Sequence, residues 1–107
     1  MRYLVLTLLI LASNAYARDT YTVYGPGNDS CGKWLDARAK EPNYSAFVQV
    51  YSAWVLGYVT AYGNYGPDLK RTDASAIDAW VDNYCRQNPL DNLNTAAKNL
   101  VEALKTK

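Results

Sequence analysis

Two cysteines, Cys31 and Cys85, are the only thiols in a chain of 107 residues, and they stand 54 positions apart. Joined, they would tie the start of one helix-patterned segment to the end of another, and few folds of so short a chain allow that. The N-terminus bears on whether they join. Met1-Arg2 supplies one positive charge, Tyr3 to Ala12 is an apolar run, and Ala15-Tyr16-Ala17 fits the small-x-small rule for signal-peptide cleavage. As a helix the apolar run rises only about 15 Å, half of a ~30 Å hydrocarbon core. Residues 1–17 are therefore read as a secretory signal peptide cleaved after Ala17, with the mature chain starting at Arg18. An even cysteine count in a short exported chain argues for a disulfide, and two cysteines allow one connectivity, Cys31–Cys85. A redox or metal-binding pair would want Cys-x-x-Cys spacing, which the chain lacks.

The charge balance narrows function. There are 11 Lys+Arg against 10 Asp+Glu and no histidine. No basic stripe marks a nucleic-acid site. Without histidine there is no Ser–His or Cys–His couple and no imidazole metal ligand. No phosphate loop, dinucleotide fingerprint or nucleophile elbow occurs. The expectation is a non-enzyme with no catalytic residue, cofactor or metal, no nucleic-acid partner, and no membrane span in the mature chain.

Four helical patterns organise residues 30–107 as one domain. Residues 18–29, with Gly25-Pro26-Gly27, read as a flexible arm. Asp29 or Ser30 caps a helix from Cys31 to about Lys40, with Cys31, Trp34, Leu35 and the stem of Arg38 at helical spacing and Pro42 beyond its end. A second helix runs from about Tyr44 to Tyr62. Phe47, Tyr51, Trp54, Tyr58 and Tyr62 step by four or three along it, the surface of a central helix. Gly57 inside it predicts close approach of another helix backbone, since glycine there costs about 1 kcal/mol relative to alanine. Gly63-Asn64-Tyr65-Gly66-Pro67 is read as the turn that ends it. Thr72 or Asp73 caps a third helix, about Ala74 to Gln87, with Ile77, Trp80, Val81, Tyr84 and Cys85 inward and Asp78, Asp82 and Arg86 forming a solvated, salt-bridged face. Asn88 as cap and Pro89 at the first position start the fourth, whose inner stripe is Leu90, Leu93, Ala96, Ala97, Leu100, Val101 and Leu104. The fold class expected is all-α, a small four-helix orthogonal bundle with one disulfide.

Tryptophan and tyrosine outnumber phenylalanine heavily, with 3 Trp, 10 Tyr and 1 Phe. Both carry apolar area with a polar handle and are enriched at interfaces. Trp34, Tyr51, Trp54, Tyr58, Trp80 and Tyr84 are assigned to the core around the disulfide. Tyr62, Asn64 and Tyr65, placed in an exposed turn, are the expected protein-contact residues.

Three stretches taken together carry a resemblance: Cys31-Gly32-Lys33-Trp34-Leu35, Trp54-Val55-Leu56-Gly57-Tyr58, and Tyr84-Cys85-Arg86-Gln87-Asn88-Pro89. Their order and cysteine spacing resemble the HdeA/HdeB superfamily of small periplasmic bacterial proteins, over about Ser30 to Leu104. The Gly-Tyr and Cys-x-x-Asn-Pro elements are also similar to the Tai-type immunity proteins, which neutralise toxins of bacterial secretion systems. The resemblance implies an HdeA-like bundle and a role exerted through protein contacts in the periplasm. The function expected on that basis is a chaperone-like or stress-related protein binding unfolded clients. The alternative is an immunity protein binding one cognate toxin. Family chaperones tend to be dimeric at neutral pH, so the resemblance leaves a homodimer open.

Overall fold

A computed structural model describes residues 21–40 and 46–106. The expected signal peptide, its cleavage point after Ala17 and the expected helix start at Tyr44 lie outside the described residues. Three of the helices begin where a short polar side chain meets a free backbone N–H. The Ser30 hydroxyl accepts from Lys33 N (3.1 Å) at the start of α1, Cys31–Lys40. Asp73 accepts from Ala76 N (2.8 Å) ahead of α3, Ala74–Gln87, and Asn92 from Thr95 N (2.8 Å) ahead of α4, Leu93–Leu104. Between them α2, Ala46–Tyr65, is a long helix without a single charged residue.

The fold is all-α, and the helices bury one common centre. Cys31, Trp34 and Ala37 face inward from α1, Tyr51 and Val55 from α2, Ile77, Val81 and Cys85 from α3, and Leu93, Ala96 and Leu100 from α4. Every helix packs against each of the other three. Cys31 and Cys85 form the expected disulfide, wholly buried, with their Cα atoms 4.9 Å apart. Two short antiparallel bridges fasten α4 at its ends. At one, Cys31 N donates to Asp91 O (2.7 Å) and Leu93 N to Asp29 O (3.0 Å). At the other, Lys70 N donates to Leu104 O (2.7 Å) and Thr106 N to Asp68 O (3.1 Å). Among the described residues no helix is long and apolar enough to cross a membrane.

The structure corrects several boundaries. α4 starts at Leu93, because Asn88 closes α3 instead of opening the next helix. Both its backbone N–H and its side-chain Nδ2 donate to Tyr84 O, at 2.9 and 3.0 Å. The bonds from Cys31 N and to Asp29 O then hold residues 91–93 against the start of α1, and Leu90, expected inside, is 97% exposed. α2 continues through Gly63 to Tyr65. A Cβ at Gly63 would lie 3.5 Å from Leu69 Cδ1, so Leu69 folds over the bare backbone there, and Gly66-Pro67 ends the helix instead.

The described part of the expected flexible arm is also built into the fold. Gly25–Asn28 form a 3-10 turn, and Gly27 is buried against the indole of Trp54, whose Nε1 donates to Tyr24 O (2.9 Å). Gly57 behaves in the opposite way. Where close helix approach was expected, open space surrounds it. These two glycines predict substitutions of opposite sign. Gly27→Ala would drive its Cβ into Trp54 Cζ2 and Cη2 and into Val23 Cγ1. Overpacking of that kind costs about 1–3 kcal/mol. Gly57→Ala meets nothing and should stabilise by up to about 1 kcal/mol. Thermal melts followed by circular dichroism check both, and equal shifts of the two variants would contradict the packing described.

Candidate functional site

The seam between α1 and α3 carries Asp82, the one buried side chain among the described residues that bears charge at neutral pH, the phenol of Tyr51 being the other buried titratable group. Trp34 and Arg38 lie three and seven residues after Cys31 on α1, while Asp82 lies three before Cys85 on α3. Those spacings put each set on the face of its own cysteine. The disulfide therefore brings Asp82 level with Trp34 and Arg38, and the two helices run antiparallel along the seam. Trp34 Nε1 donates to Asp82 Oδ1 at 2.7 Å. Arg38 donates twice, from Nε to Oδ1 (2.9 Å) and from Nη2 to Oδ2 (2.7 Å), the bidentate geometry a guanidinium forms best. Trp34 has no exposed surface and Asp82 is 9% exposed.

Burial pushes the Asp82 carboxyl upward, but the hydrogen bonds from Arg38 and Trp34 outweigh it and hold its pKa below the usual carboxylate range. The same bond to Asp82 raises Arg38, which stays charged throughout. Asp82 had been expected on a solvated face with Asp78 and Arg86. Asp78 instead accepts from the Ser52 hydroxyl of α2 (2.7 Å), and Arg86 donates to Asn83 Oδ1 (2.7 Å). The i, i+4, i+8 pattern of these three residues hid the assignment. The distance of Asp82 from Cys85 would have revealed it.

A second polar set sits at the turn after α3. Tyr84 donates its hydroxyl to Asp91, and Asn99 Nδ2 donates to the same phenolic oxygen (3.2 Å). Burial first, then the Asp91 carboxylate, pushes the Tyr84 phenol up to about 12. Trp80 stacks on Tyr84 with centroids 5.4 Å apart. Of the aromatics assigned to the core, Trp34 and Tyr51 are buried, whereas Trp54, Tyr58, Trp80 and Tyr84 are half-buried at its edge.

The expected contact residues do not form a turn. Tyr62, Asn64 and Tyr65 occupy the last turns of α2. Tyr62 is half-buried, its ring 6.5 Å from that of Tyr58 and beneath Lys105 Nζ at 5.6 Å. Asn64 and Tyr65 are exposed, Tyr65 by 93%. Exposed apolar surface continues at the other end of α2, where Phe47 is 69% exposed. Sequence periodicity grouped Phe47 with Tyr51 and Trp54 on one broad apolar surface, because an uncharged helix shows no polar side to tell its faces apart. Fold and seam together define a small all-α domain cross-linked by one buried disulfide and one interior carboxylate. Comparison with protein-family models, curated proteins and solved structures finds no match.

Proposed function

We propose that this chain is an exported, periplasmic, non-enzymatic protein-binding domain of chaperone-like type, whose native packing loosens in acid and then engages unfolded clients. Asp82 carries this reading. An interior carboxylate that ties two helices through Arg38 and Trp34 is a group whose protonation releases packing. The residue-level resemblance around Cys31 and from Tyr84 to Pro89 supports the same reading.

The sign of the pH effect follows from the direction of the shift. Asp82 has a folded pKa below its unfolded value. Its stabilisation is complete above the unfolded pKa of about 4 and fades as pH falls through the folded value. The charges around it are Arg38 across the seam and Arg86 and Asp78 on its own helix, while α2 contributes none. The ion pairs Lys33–Asp29, Lys40–Asp36 and Lys105–Glu102 sit at the surface and add little each. With no histidine, no side chain with an ordinary pKa titrates between about pH 5 and 8. Full protonation takes the side-chain charge of a chain starting at Arg18 from zero to +10, and self-repulsion adds to the loss.

The expected result is native tryptophan fluorescence from pH 8 to 5, then binding of a hydrophobic dye and suppression of client aggregation below about pH 4. Native-like fluorescence and no dye binding at pH 2 would overturn this reading. Capture of one stoichiometric partner at neutral pH would then favour the alternative, an immunity protein that neutralises a secreted toxin.

A further inference from the structure

Among the described residues an aromatic groove runs along the edge of the core, away from the α1–α3 seam. Tyr21 and Tyr24 form one wall, Trp54 and Tyr58 of α2 another, and Asn94 and Lys98 of α4 lie alongside, around a volume of about 490 Å³. Small-ligand sites span about 300–1,000 Å³. Its polar groups are arranged asymmetrically. Asn94 is 8% exposed, yet it lines the groove. Its Nδ2 donates to the Tyr21 hydroxyl (3.3 Å), and its Oδ1 takes no hydrogen bond from a described residue. Lys98 Nζ donates to the same hydroxyl (3.3 Å) and lies 5.7 Å from the Tyr21 ring centroid. With two donors on its oxygen, the Tyr21 phenol has its own proton left to give. Tyr24, Tyr58 and Lys98 add further donors. The groove is rich in donors and flat aromatic faces, offers Asn94 Oδ1 as a side-chain amide acceptor, and has Lys98 as its charged lining residue.

That inventory selects among ligands. Each sugar hydroxyl brings a donor as well as an acceptor, and for those donors the lining side chains offer only Asn94 Oδ1 and the phenol oxygens of Tyr24 and Tyr58. A polyproline II segment has no internal hydrogen bonds, so its carbonyls project outward, and its proline residues bring no N–H. Proline rings stack on aromatic side chains, and the preformed extended chain loses little entropy on binding. An acidic side chain beside the prolines complements Lys98. We propose that this groove binds an extended, proline-bearing peptide segment that carries an acidic residue. The proposal rests on the reading of the chain as a protein-binding domain but concerns the native state at neutral pH. Acid-triggered client binding and groove binding therefore fail independently.

The test titrates a blocked nonapeptide, glutamate flanked on each side by four prolines, into ¹⁵N-labelled protein at pH 7. Saturable shifts are expected at the Trp54 indole N–H and the Asn94 side-chain amide. Tyr58→Ala should weaken binding about tenfold, in the range of interface hot-spot losses. Lys98→Ala, an exposed substitution that leaves the core intact, should weaken it several-fold, and should abolish the preference for glutamate over glutamine in the peptide. Arg86→Ala, on the α1–α3 side, should leave affinity unchanged. The proposal is overturned if neither reporter shifts at millimolar peptide, if a glycine-serine peptide of equal length binds as well, if the glutamate preference survives Lys98→Ala, or if chitotetraose saturates the groove while the peptide does not.

Discussion

Asp82→Ala is expected to lower the unfolding free energy by about 3 kcal/mol. Breaking a buried ion pair by removing one partner costs about 3–5 kcal/mol when the remaining charge stays buried. Arg38 is 34% exposed, so its guanidinium can reach water and the loss falls at the low end of that range. Trp34 has no such escape. Its indole N–H, wholly buried, would be left without an acceptor, a loss of about 1–3 kcal/mol by itself. Asp82→Asn separates the two contributions. An amide oxygen still accepts from Trp34, but an amide N–H₂ placed before Arg38 sets donor against donor. It should therefore cost less than alanine while removing the Asp82 share of the acid-sensitive stability, leaving only the part due to the remaining carboxylates and self-repulsion. Urea denaturation at pH 7 and pH 3.5 measures both. If Asp82→Asn retains the full pH dependence of the parent, the carboxylate is not the acid-sensitive tie.

Removing the disulfide should cost about as much or more. Closing a loop of 54 residues corresponds to about 4 kcal/mol in the chain-entropy model, within the 2–5 kcal/mol usual for small secreted domains. For a domain of this size, 1 kcal/mol shifts the melting temperature by about 4–8 °C, so the Cys31→Ser, Cys85→Ser double variant should melt some 15–30 °C lower. Both sulfurs are wholly buried, so the folded protein should show no thiol titration, and reductant alone should act slowly until the chain opens. Identical urea midpoints with and without reductant would contradict this expectation. The disulfide and Asp82 share the α1–α3 seam, so their losses should not add, and a double-mutant cycle should show coupling.

The sequence disclosed these two features unequally. Cys31 and Cys85 needed only a count and a compartment to be paired. Asp82 needed geometry, because its spacing to Asp78 and Arg86 describes an exposed face as well as its spacing to Cys85 describes a buried one. α1 and α3 were legible to the residue, since each has a capping side chain and a polar side to contrast with its apolar stripe. α2 was legible as a helix but not in its orientation. With no charge from Ala46 to Tyr65, nothing in the pattern marked Phe47 as outward or Gly57 as bare. The start of α4 was misplaced because Asn88-Pro89 is a good local helix opening. Backbone bonds to residues 29 and 31, remote in sequence, overrode it. The docking of the N-terminal segment was hidden for a similar reason. Its anchor, Trp54, lies thirty residues away, and only Gly27 among the arm residues hinted at a close approach.

The two bridges at the ends of α4 bear on how this chain can vary over evolutionary time. One joins the final helix to the residues opening the first, and the other joins it to the loop before the third. No contiguous fragment therefore contains a finished subset of the architecture. Recombination that deletes, duplicates or swaps a helix would leave a cut bridge and an open seam. Such a scaffold favours divergence by substitution on its surface, where the uncharged outer face of α2, with Phe47 and Tyr65 exposed, can change without disturbing the packing.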